Sequence, residues 1–117
     1  MCTVTIVPNM AKYKSFVLTS NRDEAINRET IAPELYDEHG VRMLYPKDAL
    51  AGGTWVGASE KNRVVCLLNG GFALHKRHLP YRMSRGIVVK DVLACNDVES
   101  TLKSYNFHNV EPFTLVV

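Results

Sequence analysis

Met1-Cys2-Thr3-Val4-Thr5-Ile6-Val7-Pro8 opens the chain, and Tyr13 to Ser20 with the following Asn21-Arg22-Asp23-Glu24 answers it after Asn9-Met10-Ala11-Lys12. Thr3 to Val7 is short and rich in β-branched residues, the pattern of a strand, and Pro8 ends it because proline has no N–H for the ladder. Tyr13 to Ser20 reads as a second strand with Phe16, Val17 and Leu18 apolar, and the turn between them makes the two an antiparallel hairpin. In such a hairpin the end of the second strand lies beside the start of the first. Asn21 to Glu24 is therefore predicted next to Cys2, which brings a thiol, a guanidinium and carboxylates to one end of a β-ribbon.

Cysteine at position two permits removal of Met1, and the thiol and the α-amine then share one residue. A thiol is a weak nucleophile until a base takes its proton. An N-terminal cysteine carries its own base, since the α-amine titrates near pKa ~7.7–8.0 and the thiol near ~8.5. Cysteine also serves as a small buried hydrophobe, so the rest of the chain has to decide between the two uses.

Working outward, residues 27–50 read as irregular, with Pro33, Pro46, Gly40 and several charges, and Arg42 to Tyr45 offers one short strand. Gly52-Gly53-Thr54-Trp55-Val56-Gly57-Ala58 reads as a strand over 54–58 behind a glycine turn, and Arg63 to Leu68 as an apolar strand paired with it. Asn69-Gly70-Gly71 ends that strand at a position calling for positive φ. Ser84 caps a predicted helix from Arg85, with Ile87, Val88, Val92 and Leu93 on its apolar face, and Asp97 or Asn96 caps a second over Val98 to Tyr105. Pro112 to Val117 is a strand pattern that ends without a turn, so its partner is expected in a longer product or another chain.

Composition limits the classes. With 117 residues, 46% hydrophobic and 22% charged, the chain has the make-up of one globular domain. A net charge of +2 is too mild to point to nucleic acid. The interior apolar run Val64 to Leu68 is far below the ~20 residues of a membrane span, and no basic segment precedes the N-terminal apolar stretch. Cys2, Cys66 and Cys95 are widely spaced with no C-x-x-C pair. That argues against structural disulfides and a zinc knuckle, and for a reducing, cytoplasmic compartment.

Cys2, Asn21-Arg22-Asp23-Glu24, Gly52-Gly53-Thr54-Trp55-Val56-Gly57 and Leu68-Asn69-Gly70, followed by Ser84-Arg85-Gly86 and Glu111-Pro112-Phe113, form an ordered set. In that order the chain resembles the NRDE family, also called the transport and Golgi organisation protein 2 family, whose namesake tetrapeptide is Asn21 to Glu24. That family resembles the N-terminal nucleophile hydrolases near the choloylglycine hydrolase and penicillin V acylase branch. The resemblance implies an α+β fold, an αββα sandwich of two facing antiparallel sheets with helices outside. It also implies hydrolysis of a non-peptide carbon–nitrogen bond without a cofactor. Members of the family are generally longer, so the resemblance implies that only the N-terminal half stands here, completed by a missing half or a homodimer partner.

Chemistry assigns roles beside the resemblance. Cys2 is expected to be the nucleophile that forms a thioester, and its α-amine the base. Asp23 would orient that amine, and Arg22 would lower the thiol pKa or hold a substrate oxygen. Asn69 would donate its amide to the developing oxyanion. Blander uses stand beside these: Arg22 and Asp23 as a surface ion pair, Asn69 as a turn residue, Trp55 as a packing aromatic rather than a substrate wall, Glu24 as a cap, and Cys66 as an inert buried thiol. The basic stretch His75-Lys76-Arg77-His78 with Arg82 and Arg85 suits a solvated loop or an anionic ligand, and no metal site is expected there. It also supports a second reading that the resemblance implies, a non-enzymatic carrier of haem or a lipid-like ligand, with a loop histidine or His39 as the iron ligand.

Overall fold

The computed structural model describes residues 2–9, 15–22 and 24–117. Strands β1 (Thr3–Asn9) and β2 (Ser15–Asn21) pair antiparallel with Thr3 opposite Asn21 and Asn9 opposite Ser15. The opening hairpin is thus as expected, although β1 runs through Pro8. That is tolerated because β1 and β2 form a two-stranded sheet, in which each strand has a free edge where a missing N–H costs nothing. The Thr3 N–H donates to Asn21 Oδ1 at 2.5 Å, which closes the end of the ribbon that bears Cys2. The predicted turn lies, apart from Asn9, outside the described residues.

A second sheet contains β3 (Thr30–Glu38), β4 (Val41–Asp48), β5 (Val56–Ser59), β6 (Arg63–Asn69) and β7 (Phe113–Val116), antiparallel throughout and in that spatial order. Residues 27–50, expected to be irregular, are mostly the β3–β4 hairpin. Its turn is His39-Gly40, both with positive φ, the two-residue geometry that suits the twist of the flanking strands. The prolines misled because both fall at one bulge: Ile31 pairs with Lys47 and Glu34 with Tyr45, so Ala32 and Pro33 together face Pro46. A bulge excuses the missing ladder N–H groups. The β5–β6 hairpin is present, with β5 starting at Val56. The C-terminal strand, expected to want a partner, finds one in β6, Asn69 pairing with Phe113 and Cys66 with Val116.

Helix α1 (Arg85–Ala94) starts at Ser84, whose hydroxyl accepts from the Gly86 N–H, and α2 (Val98–Ser104) starts at Asp97, whose carboxylate accepts from the Ser100 N–H at 2.7 Å. Alternation along β4 buries Val41, Met43 and Tyr45 and exposes Arg42 and Leu44. Val88, Val89, Val92 and Leu93 of α1 close over that buried row together with Val65 and Leu67 of β6, forming the core on one face of the five-stranded sheet. Each of these side chains contributes about 1.5–3 kcal/mol by leaving water. The Tyr45 hydroxyl, buried in this layer, donates to Glu38 Oε1 at 2.6 Å, and Glu38 also pairs with Lys90 of α1 at 2.5 Å. The result is a mixed α+β domain of mainly antiparallel sheets with two helices among the described residues.

The loop before β5 and the first turn of α1 meet backbone to backbone. A Cβ on Gly86 would lie 2.7 Å from the Thr54 nitrogen, and one on Gly53 would lie 2.6 Å from the Gly86 carbonyl carbon. The Thr54 N–H donates to the Gly86 carbonyl at 3.2 Å. Two glycines at this crossing are therefore a steric requirement, and they hold the N-terminus of α1 against the end of the sheet.

Candidate functional site

Antiparallel pairing collects many of the quoted motifs at one end of the molecule. The start of β1, the end of β2, the end of β4, the loop before β5, the end of β6 and the N-terminus of α1 all contribute to one open cavity of about 1040 Å³. Cys2, Arg22, Trp55 and Asn69 line it, as do Asp48, His75, Arg85 and Glu111. Of the predicted site residues, Asp23 lies outside the described residues, and His78 and Arg82 are not among those lining the cavity. The Arg82 guanidinium instead donates to the carbonyls of Asn106 and His108.

Arg22 is held from three sides. Its guanidinium pairs with Asp48, donates to Thr30 Oγ1 at 2.9 Å and lies 4.7 Å from the centroid of the Trp55 ring. Its carboxylate partner Asp48 is buried on β4, whereas the pair weighed with Asp23 lies outside the described residues. Trp55, between the packing and substrate-wall readings, is half-buried and forms both the cavity wall and the platform beneath Arg22. Glu24 lies 3.8 Å from Arg22 and 3.6 Å from Arg28, joining the same network rather than acting as a cap.

Asp48 was not picked out by sequence, because the segment around it read as irregular. It is 5% exposed, accepts from the Leu50 and Ala51 N–H groups at 3.0 and 2.9 Å, and binds Arg28 Nε at 2.7 Å. Burial pushes its carboxyl pKa up, but the Ala51 N–H and the Arg28 and Arg22 charges outweigh that and hold it below the usual range. The signal was present as an aspartate two and three residues before donors that lead into Gly52-Gly53, an Asx turn at a strand end.

Glu111 is the second buried carboxylate, quoted in a motif but given no role. It sits 3.2 Å from Arg85 Nη2, 2.9 Å from Arg77 Nε and 3.2 Å from His75 Nε2. Burial raises its carboxyl pKa, and the His75 hydrogen bond with the Arg85 and Arg77 charges brings it below the ordinary value. Arg85 also donates to the Pro112 carbonyl at 3.1 Å. Its burial pushes the guanidinium pKa down, while Glu111 favours the charged form. Cys2 and Arg85 line the same cavity.

Asn69 is exposed at the end of β6, and the chain turns at Gly70 with φ 83° as the residue order predicts. Cys66 is fully buried in β6, and all three cysteines are free. Among the described residues no cluster of three metal-binding side chains is present, and no helix is long and apolar enough to cross a membrane. His39 pairs with Asp91 at 4.0 Å and does not line the cavity.

Comparison with known proteins gives one family. A family model described as Transport and Golgi organisation 2 matches residues 1–117. No curated protein and no solved structure matches the chain.

Proposed function

The chain belongs to the Transport and Golgi organisation 2 family, and from that premise we propose a hydrolase of a non-peptide amide in which Cys2, freed of Met1, is the nucleophile. Its α-amine takes the thiol proton, the sulfur bonds to the acyl carbon, and the carbonyl oxygen takes up the negative charge. Collapse breaks the carbon–nitrogen bond, the departing amine receives the proton, and the acyl group stays as a thioester. Water then cleaves the thioester, releasing the acid and restoring the thiol. Asp23 orients the amine. Asn69 donates to the oxyanion, a contact whose removal costs about 3–4 kcal/mol. Arg22 and Arg85 lower the cost of the thiolate and of an anionic substrate group. The fold class that goes with this chemistry is the αββα sandwich of N-terminal nucleophile hydrolases, and three free thiols accord with a reducing, cytoplasmic setting.

The observation that carries this reading is that Cys2, Arg22, Asn69 and Arg85, from four separate segments, line one cavity. The experiment combines intact-mass measurement with a panel of N-acyl amino acids and acyl amides. Loss of Met1, an acyl adduct at Cys2, and hydrolysis abolished in Cys2→Ala support the proposal. Undiminished hydrolysis in Cys2→Ala, or retained Met1 in active protein, overturns it.

The size and apolar lip of the cavity favour one alternative, a carrier of haem or a lipid-like ligand. Among its histidines only His75 lines the cavity, and its ring already engages Glu111. A Soret shift on haem titration that disappears in His75→Ala, with Met1 retained, selects the carrier.

A further inference from the structure

Gly70 to Arg82 forms a loop without helix or strand, and it carries large apolar side chains in water. Phe72 and Leu74 are fully exposed and Leu79 is 73% exposed. Scattered apolar residues on a surface are ordinary, but three within eight positions form a patch that marks a contact. The same segment is basic. From Gly70 to Arg82 there is no aspartate or glutamate, while Lys76, Arg77 and Arg82 are cationic and Arg85 follows at the start of α1. Glu111 answers both Arg77 and Arg85, so one carboxylate faces two guanidinium groups. Arg82 is bound by backbone carbonyls and has no ion pair among the described residues. Lys76 has no ion pair among the described residues.

We propose that this loop docks on an anionic phospholipid surface, with Phe72, Leu74 and Leu79 entering the boundary between headgroups and acyl chains and Lys76, Arg77 and Arg82 meeting the lipid phosphates. A membrane interface supplies both requirements in fixed layers, negative headgroups above a hydrocarbon floor. An acidic peptide answers the charge but not the bare apolar tips, and a second copy of this chain brings the same positive charge against itself. Phe72, Leu74 and Leu79 also line the lip of the Cys2 cavity. Docking by this loop turns the cavity mouth toward the bilayer, from which an amphiphilic ligand can enter without crossing water. The docking does not depend on Cys2 being a nucleophile and stands apart from the hydrolase proposal.

The test is flotation of the full chain with phosphatidylcholine vesicles and with vesicles containing about one-third phosphatidylserine. Binding to the phosphatidylserine vesicles, absent on phosphatidylcholine alone, is expected. It should fall about tenfold in Phe72→Ser with Leu74→Ser and again in Lys76→Glu with Arg82→Gln. Phe72, Leu74 and Lys76 are solvent-facing, so Phe72→Ser with Leu74→Ser and the single Lys76→Glu, checked by circular dichroism, are expected to keep the fold. No binding to the anionic vesicles, equal binding to both vesicles, or unchanged binding of these variants overturns the proposal. Sedimentation showing a dimer that Phe72→Ser with Leu74→Ser dissociates, without vesicle binding, overturns it in favour of self-association.

Discussion

Arg22, the second residue of the tetrapeptide that begins at the end of β2, forms an ion pair with Asp48 at the end of β4. The two lie 26 positions apart in the chain. The pair ties the ribbon that carries Cys2 to the five-stranded sheet, and the Trp55 ring beneath Arg22 removes the remaining freedom of the guanidinium. The position of Arg22 in the cavity therefore depends on a residue from the other sheet.

Asp48→Asn should be among the most damaging single changes near the site. It leaves Arg22 and Arg28 without their shared buried counter-charge and weakens the turn through Ala51. Breaking a buried pair by removing one partner costs about 3–5 kcal/mol, and the partial exposure of Arg28 places the expected loss toward about 3 kcal/mol. Urea denaturation measures it, and Trp55, the single tryptophan, reports the displacement of Arg22 through its fluorescence.

Glu111→Gln should destabilise the start of α1. It leaves the Arg85 guanidinium, 3.2 Å away, without its buried counter-charge, and breaking such a pair by removing one partner costs about 3–5 kcal/mol. Urea denaturation measures the loss, and an unchanged midpoint would rule it out.

Gly86→Ala should destabilise the junction between α1 and the sheet. The new methyl group would sit 2.7 and 2.8 Å from the backbone nitrogen and oxygen of Thr54, neither of which can rotate away. Overpacking of this kind costs about 1–3 kcal/mol, although alanine is the better helix former. A lower thermal midpoint for Gly86→Ala is expected, while alanine at the open Gly71, where nothing lies within 4 Å, should change it little.

Acid should loosen the cavity before it unfolds the core. Asp48 and Glu111 both have folded-state pKa values below their ordinary ones. A lowered carboxylate contributes stability that is fully present above its unfolded pKa, about 4, and is lost as pH falls through the folded value. Urea midpoints should be flat from about pH 7 to 5 with respect to these two groups and fall below about pH 4. Asp48→Asn should flatten that fall. An equal acid slope in the variant would falsify the assignment to Asp48.

Local pattern was enough for the opening hairpin, the β5–β6 hairpin, both helix caps and the turn at Gly70, because strand alternation, N-capping and positive φ are properties of neighbouring residues. It failed over 27–50, where Pro33 and Pro46 look like breakers one at a time. They cease to be so only when paired across a bulge, and that pairing is a property of two strands together. The motif order from Cys2 to Asn69 was likewise readable in the chain. Asp48 and Glu111 were given no role, and Arg85 only a place in the basic stretch, since a carboxylate's partners are chosen by which strand ends meet.

From the residues alone came the thiol at position two, the tetrapeptide set beside it by a short antiparallel ribbon, a second hairpin and two capped helices. The tertiary structure decided which charges share a cavity with that thiol. Side-chain alternation and capping act over a few residues, whereas burial of Asp48 and Glu111, and the cations drawn to them, arises only when the five-stranded sheet and the start of α1 close on one end of the molecule.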